Sequence, residues 1–308
     1  MTRPAVLIMN RMLAPLSPFL ETQYDVFRLW EGPPVEAAHE IRAIVTAGEE
    51  PLDKPVIEKL PNLELVACFT AGYDGLDVEW CRERGLKLSH SPNVNHEDVA
   101  DMAMGLMLAA RREIVAGHAM VISGDWSLDQ RNVTGSLQGQ KVGIVGLGAI
   151  GAAVAKRASA FNLDVQWWGP RAKDTEWTRA ESLKQLAADT DILVVACRAD
   201  DSNRGLIDAE IIRAVGPQGI IINVSRGSLV DESALIEALK SGALGGAALD
   251  VFETEPTPAD RWTDVPNLVL SPHAGGATTN GVQGMLLLTM QNLAAHFAGQ
   301  PLVTPIAD

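Results

Sequence analysis

Lys141-Val-Gly-Ile-Val145 runs without a break into Gly146-Leu-Gly148-Ala149-Ile150-Gly151, and a run of small residues from Ala152 to Ala160 follows. The first five residues read as a buried strand, the next six as a tight turn, and the remainder as a helix. In that context each glycine has a mechanical task. Gly146 permits the sharp turn, Gly148 lets the backbone approach a pyrophosphate, and Gly151 allows the helix to lie close on the sheet. The N-terminus of the helix adds oriented N–H groups and a positive dipole end, an anion site that needs no basic side chain. A Gly-rich turn of an empty α/β fold would share the glycines. The strand–turn–helix order predicts a parallel sheet that binds a dinucleotide.

Outward from this motif the chain alternates between β-rich and helical runs. Downstream, Lys141–Val145, Val165–Trp168, Ile192–Cys197, Gly219–Val224, Ala247–Phe252 and Leu268–Ser271 predict a six-stranded dinucleotide-binding sheet. Upstream, Ala5–Met9, Asp25–Trp30, Ala43–Thr46, Leu63–Phe69 and Leu86–His90 predict a second parallel sheet, with candidate helices at Val35–Ile41 and Val56–Leu60. Between the two series, Glu97 to Ile122 reads as one long helix, apolar on most faces and therefore expected between domains or subunits, which points to a homodimer. Ser123 to Gly139 reads as a long arm, and Gly281 to Ala298 as a final helix whose tail returns to the first series.

The 308 residues are enough for two domains. With 25 Lys+Arg against 39 Asp+Glu the net charge is −14, which argues against nucleic acid and anionic membrane as partners. No apolar run approaches the length of a membrane span. Cys68, Cys81 and Cys197 form neither a C-x-x-C pair nor an even framework, so a reducing compartment, the cytoplasm, is expected. His39, His90, His118 and His296 lack metal-ligand spacing and read as structural or surface residues; no metal is implied.

A ribose-binding carboxylate is expected about 20 residues after the glycines. The strand tip there reads Trp167-Trp168-Gly169-Pro170-Arg171-Ala172-Lys173 instead. The nearest preceding acid, Asp164, stands at the other end of the strand, about 16 Å away at ~3.3 Å per residue. Arg171 and Lys173 suit the 2′-phosphate of NADP, although two solvated cations on a loop would look the same. The reading favours NADP (as NADPH), with NAD as the other candidate.

Ionisable residues just beyond strand ends carry more functional weight than others in an open α/β sheet. Arg226 follows Ile220–Ser225, Glu255 follows Ala247–Phe252 after two residues, and His273 follows Leu268–Pro272. Singly they read as a surface cation, a turn acid and a satisfied histidine. Together they supply what carbonyl reduction needs. A histidine can give a proton near neutral pH, a carboxylate can orient it and favour imidazolium, and an arginine can polarise a carbonyl and grip an adjacent carboxylate.

Four stretches, Val145-Gly-Leu-Gly-Ala-Ile-Gly151, Asn223-Val-Ser-Arg-Gly-Ser-Leu-Val-Asp231, Leu249-Asp-Val-Phe-Glu-Thr-Glu-Pro256 and Ser271-Pro-His-Ala-Gly-Gly276, resemble the D-isomer-specific 2-hydroxyacid dehydrogenase family, and the resemblance covers nearly the whole chain. It implies an α/β fold of two Rossmann-like doubly wound parallel-sheet domains. A dinucleotide-binding domain, residues 98–276, would be inserted in a flavodoxin-like substrate domain, residues 1–97 and 277–308. It further implies that Arg226 binds and polarises a 2-oxoacid, that His273 is the acid/base and that Glu255 is its partner. Gly146, Gly148, Ala149, Ile150, Gly151, Arg171, Lys173, Cys197 and Asp250 would hold the cofactor. Asp250 matches the family's nicotinamide-carboxamide contact, with a turn-capping acid as the other reading. The loop Thr70-Ala71-Gly72-Tyr-Asp-Gly75 would bind the substrate carboxylate through backbone amides, with Ala71 and Gly72 as contacts.

Two stretches depart from the family pattern. Arg198-Ala-Asp-Asp-Ser-Asn203 replaces a Pro-Leu-Thr-like run, and the arm around Trp126 has no matching sequence. The missing ribose carboxylate and the short chain are most similar to glyoxylate/hydroxypyruvate reductases. The expected partner is a small 2-oxoacid or 2-hydroxyacid. A reductase for another 2-oxoacid, such as 2-ketogluconate, and a nicotinamide-sensing protein without turnover are the alternatives.

Overall fold

Short apolar strands buried on both faces need helices on both sides, and both halves of the chain are built that way. The computed structural model describes residues 3–129 and 133–307. Contacts divide the chain into two compact units, residues 1–95 with 279–308, and residues 96–278.

The first unit contains β1 (Ala5–Ile8), β2 (Asp25–Arg28), β3 (Ile41–Thr46), β4 (Leu65–Cys68) and β5 (Lys87–Ser89). They form one parallel sheet in the order β2-β1-β3-β4-β5. β1 and β4 are buried throughout, and two apolar clusters cover the two faces. The helix Thr279–Phe297 packs on one face through Met285 and Leu293. Its tail then returns to the sheet edge, where Ile306 N–H donates to Leu88 O at 2.9 Å.

Val35–Ile41 is not a helix. Residues 35–40 make turns, closed by Glu40 N–H to Ala37 O at 2.8 Å, in a run that follows Pro33-Pro34.

The second unit contains β6 (Lys141–Val145), β7 (Asp164–Trp168), β8 (Thr178–Arg179), β9 (Ile192–Val195), β10 (Ile220–Asn223), β11 (Gly246–Leu249) and β12 (Leu268–Leu270). All pair in parallel, in the order β12-β11-β10-β9-β6-β7-β8. The sheet therefore has seven strands where six were expected. The extra one, β8, is a two-residue edge strand, held by Ala180 N–H to Trp167 O at 2.8 Å and Trp167 Nε1–H to Trp177 O at 3.1 Å.

The helix expected over Glu97–Ile122 is two helices, His96–Arg111 and Ile114–Ser123. The first buries Val99, Ala100, Ala103, Met104, Leu106 and Met107 in the second unit's own core. The break falls at Glu113, whose φ of 49° is left-handed. The adjoining guanidinium groups leave the helix to bind the returning arm: Arg111 Nε to Ser136 O at 3.3 Å and Arg112 Nε to Thr134 Oγ1 at 3.1 Å. The second helix buries no residue. Of the arm Ser123–Gly139, residues 130–132 lie outside the described residues.

Candidate active site

Register places the chemistry. Val145 pairs with Trp168 and Val195, Val195 with Asn223, Asn223 with Leu249, and Leu249 with Leu270. The carboxyl ends of six strands thus stop on one line. Gly146, Cys197, Arg226, Asp250 and His273 all lie within three residues beyond it.

The turn after β6 has the geometry that its glycines suggest. Gly146 has φ 92°, and a Cβ there would stand 2.4 Å from Cys197 Cα. A Cβ on Gly151 would stand 2.0 Å from Gly146 O, so the helix Ala149–Ala160 approaches the strand end as only glycine permits. A Cβ on Gly148 would meet nothing within 4 Å, which leaves open space over the turn at the helix N-terminus. These features fit a dinucleotide pyrophosphate. Cys197 forms the neighbouring wall. Burial pushes its thiol up to about 11, so it is a neutral surface and not a nucleophile.

At the tip of β7 the two basic residues differ. Lys173 Nζ donates to Leu147 O at 2.5 Å, which ties the loop to the glycine turn. Arg171 is exposed. The neighbouring Arg179, a residue the sequence reading did not select, donates to Gly169 O at 2.7 Å with its guanidinium 5.7 Å from the centre of the Trp167 ring. Its position on an edge strand too short to show periodicity explains the omission.

The three charged residues converge. His273 Nδ1 and Glu255 Oε2 are 2.6 Å apart, with side chains 30% and 33% exposed. The other Glu255 oxygen accepts the Phe252 N–H at 2.9 Å. Burial raises the affinity of Glu255 for its proton, but the bonds from His273 and Phe252, with the charges of His273 and Arg226, outweigh it. The carboxyl is held below its ordinary range. Arg226 reaches this neighbourhood because Gly227 lies directly on the backbone of Phe252 and Glu253, where a Cβ would stand 1.8 Å from Phe252 C. Asn223 fixes the same turn, with Nδ2 donating to Arg226 O at 2.9 Å and Oδ1 accepting from Ser225 N at 3.1 Å. Ser225 Oγ donates to Cys197 O. Asn223 and Ser225 stood in a quoted motif; the Asn223 bonds are local to the turn, whereas the Ser225 bond to Cys197 is tertiary and left no sequence signal.

Asp250 is buried and clamps the histidine loop. Its oxygens accept the N–H groups of Ala274 at 2.9 Å and Gly275 at 2.8 Å, and its carbonyl accepts His273 N–H at 2.7 Å. His273 has φ 51°, a left-handed conformation held by that clamp.

In the first unit, the loop after β4 places Ala71 and Gly72 at intermediate burial. Thr70 Oγ1 donates to Gly72 O at 2.8 Å and accepts Gly48 N–H at 2.8 Å. Among the described residues neither the Ala71 nor the Gly72 N–H donates to a protein acceptor.

Residues 104–275 match the model of the D-isomer specific 2-hydroxyacid dehydrogenase NAD binding domain. Hydroxyphenylpyruvate reductase of Plectranthus scutellarioides is 40% identical over 305 residues, which is 96% of this chain and 97% of the relative. The chain belongs to this family. Glyoxylate/hydroxypyruvate reductase A of Arabidopsis thaliana is 39% identical to the dehydrogenase over the same shares of each chain. Among solved structures, an NADPH-dependent glyoxylate/hydroxypyruvate reductase of Sinorhizobium meliloti, in complex with NADP and malonate, superposes with a TM-score of 0.91 at 32% identity, covering 99% of this dehydrogenase and 97% of that chain. The fold is thus the α/β arrangement of Rossmann-like domains, and the dehydrogenase is an oxidoreductase with a nicotinamide cofactor.

Proposed function

We propose that the chain reduces a small 2-oxoacid of the glyoxylate/hydroxypyruvate type to the D-2-hydroxyacid with NADPH, with residues 96–278 as the cofactor domain and His273 as the acid/base. The observation that carries this reading is the 2.6 Å His273–Glu255 pair, placed beside Arg226 on the edge of the sheet that holds the glycine turn.

The bound nicotinamide supplies a hydride. Because Nδ1 of His273 is committed to Glu255, Nε2 is the nitrogen that gives the carbonyl oxygen its proton. Glu255 orients the ring and favours imidazolium before transfer. Arg226 polarises the carbonyl and grips the substrate carboxylate. In the first unit, taken by itself, the Ala71 and Gly72 N–H groups are the carboxylate-binding donors. Gly146, Gly148, Ala149, Ile150 and Gly151 cradle the pyrophosphate, and Arg171 binds the 2′-phosphate. Lys173 and Cys197 fix and wall that site. Asp250 has acceptor capacity left for the carboxamide, since a carboxylate offers about four lone-pair positions and backbone amides take two.

The test is NADPH oxidation with glyoxylate and hydroxypyruvate. The relatives include a 2-ketogluconate reductase of Gluconobacter oxydans at 36% identity as well as the hydroxyphenylpyruvate reductase, so both of those oxoacids belong in the panel. His273→Ala should lower turnover about 10²–10⁴-fold. Cofactor binding without turnover across the panel would overturn the enzyme reading in favour of a sensor. Higher efficiency with NADH would overturn the NADPH preference.

A further inference from the structure

A carboxylate cradle of backbone amides works only if its N–H groups are aimed, and something must hold the peptides that carry them. A peptide unit is planar and trans, so its C=O and N–H point in opposite directions. Fixing the Ala71 carbonyl therefore fixes the Gly72 N–H. Ala71 O lies 2.9 Å from Nδ1 of His90. A carbonyl only accepts, so His90 carries its proton on Nδ1 and donates it to Ala71.

The ring of His90 is itself held from two sides. Tyr73, on the same loop, meets it edge-on, with ring centres 4.8 Å apart and planes at 79°. The C-terminal tail ties down its backbone: His90 N–H donates to Thr304 O at 3.2 Å, and Thr304 Oγ1 donates to His90 O at 2.5 Å. Asn292, buried in the final helix, holds Thr304 in turn, donating to its Oγ1 at 2.7 Å and accepting its N–H at 3.0 Å. The next peptide is aimed in the same manner by a different group, since Thr70 Oγ1 bonds Gly72 O.

We propose that His90 is a positioning residue for substrate binding: through the Ala71 carbonyl it aims the Gly72 N–H at the carboxylate of the 2-oxoacid, and Asn292 and Thr304 hold it in place. This rests on the reading that the 70–75 loop binds that carboxylate. Sequence spacing alone made His90 a structural or surface residue; its ring hydrogen bond gives it a definite task.

The test compares wild type, His90→Leu and His90→Asn by steady-state kinetics with glyoxylate and NADPH, with Tm measured for each. Asparagine Nδ2 falls close to where histidine Nδ1 lies, whereas leucine has no donor. His90→Leu should raise KM for glyoxylate about five- to tenfold, the value of one aimed hydrogen bond, with KM for NADPH within about twofold. His90→Asn should restore most of the loss. An unchanged glyoxylate KM in His90→Leu would overturn the proposal. So would a parallel rise in both KM values with a fall in Tm, or a failure of asparagine to rescue. A wild type that reduces no 2-oxoacid would overturn the functional reading and this inference with it. An active wild type with an indifferent His90 would overturn this inference alone.

Discussion

At the scale of single residues the site depends on the difference between a charge and a geometry. Lysine at position 226 would keep the charge and lose the planar fork, so Arg226→Lys should lower kcat/KM about 10- to 150-fold, the worth of one or two charge-assisted hydrogen bonds. Near-normal kinetics would remove Arg226 from the carboxylate. Glu255→Gln keeps the shape and the Phe252 bond but no longer favours imidazolium. The pH above which reduction declines should fall by about one unit or more, which a kcat/KM profile reads directly. Glu255 also bears on stability. Its folded pKa is lowered from the ordinary 4.5, so its contribution is present above that value and is lost as pH falls through the lower folded value. Wild type and Glu255→Gln should therefore converge in Tm only in acid below the usual carboxylate range. The identities of these residues could be read in the sequence because each follows a strand run. The bond of Ser225 to Cys197 O beside Arg226 could not, since it joins the ends of β9 and β10, which come together only when those strands pair.

At the scale of elements, strand ends carry the argument and their neighbours set its precision. Gly227 leaves no room for a methyl group against Phe252, and the obstruction is backbone that no rotamer can clear. Gly227→Ala should cost about 1–3 kcal/mol of stability and displace Arg226, so thermal denaturation and kcat/KM should fall together. An alanine variant with wild-type Tm and activity would show that the two tips are not locked. The loop after β7 divides its cations: Arg171 is exposed, while Lys173 is bonded to Leu147 O. Arg171→Ala should raise KM for NADPH at least tenfold and leave KM for NADH nearly unchanged, whereas Lys173→Ala should weaken both. Equal effects of Arg171→Ala on the two cofactors would sink the 2′-phosphate role. The parallel sheets were legible because buried strands read as unbroken apolar runs. Two features were not. β8 is too short for any period, and the helix break at Glu113 contains neither glycine nor proline to mark it.

At the scale of the whole molecule, the net charge of −14 does not argue against the proposed anionic ligands, because the positive features proposed to meet them are local: a helix N-terminus, Arg171 and Arg226. Among the described residues no helix is long and apolar enough to cross a membrane. What the surface does expose is concentrated. Ile114, Val115, Val121, Ile122, Trp126, Leu128 and Val133 are all more than half exposed, and they fall within 20 consecutive residues. A water-exposed patch of that kind is costly unless something covers it. The apolar run Glu97–Ile122 was expected to lie between domains or subunits. Its first half is buried in the second unit's own core, whereas Ile114–Ser123 buries no residue, so the expected contact with a second copy of the chain is predicted there. The prediction is a homodimer in sedimentation equilibrium at micromolar concentration, shifted to monomer by Val115→Asp combined with Ile122→Asp. Both positions are more than half exposed, so the charges should leave the fold of each chain intact and its Tm at limiting dilution unchanged. A wild type that stays monomeric would overturn the dimer, and a double variant that stays dimeric would place its interface elsewhere; either leaves this patch without an explanation.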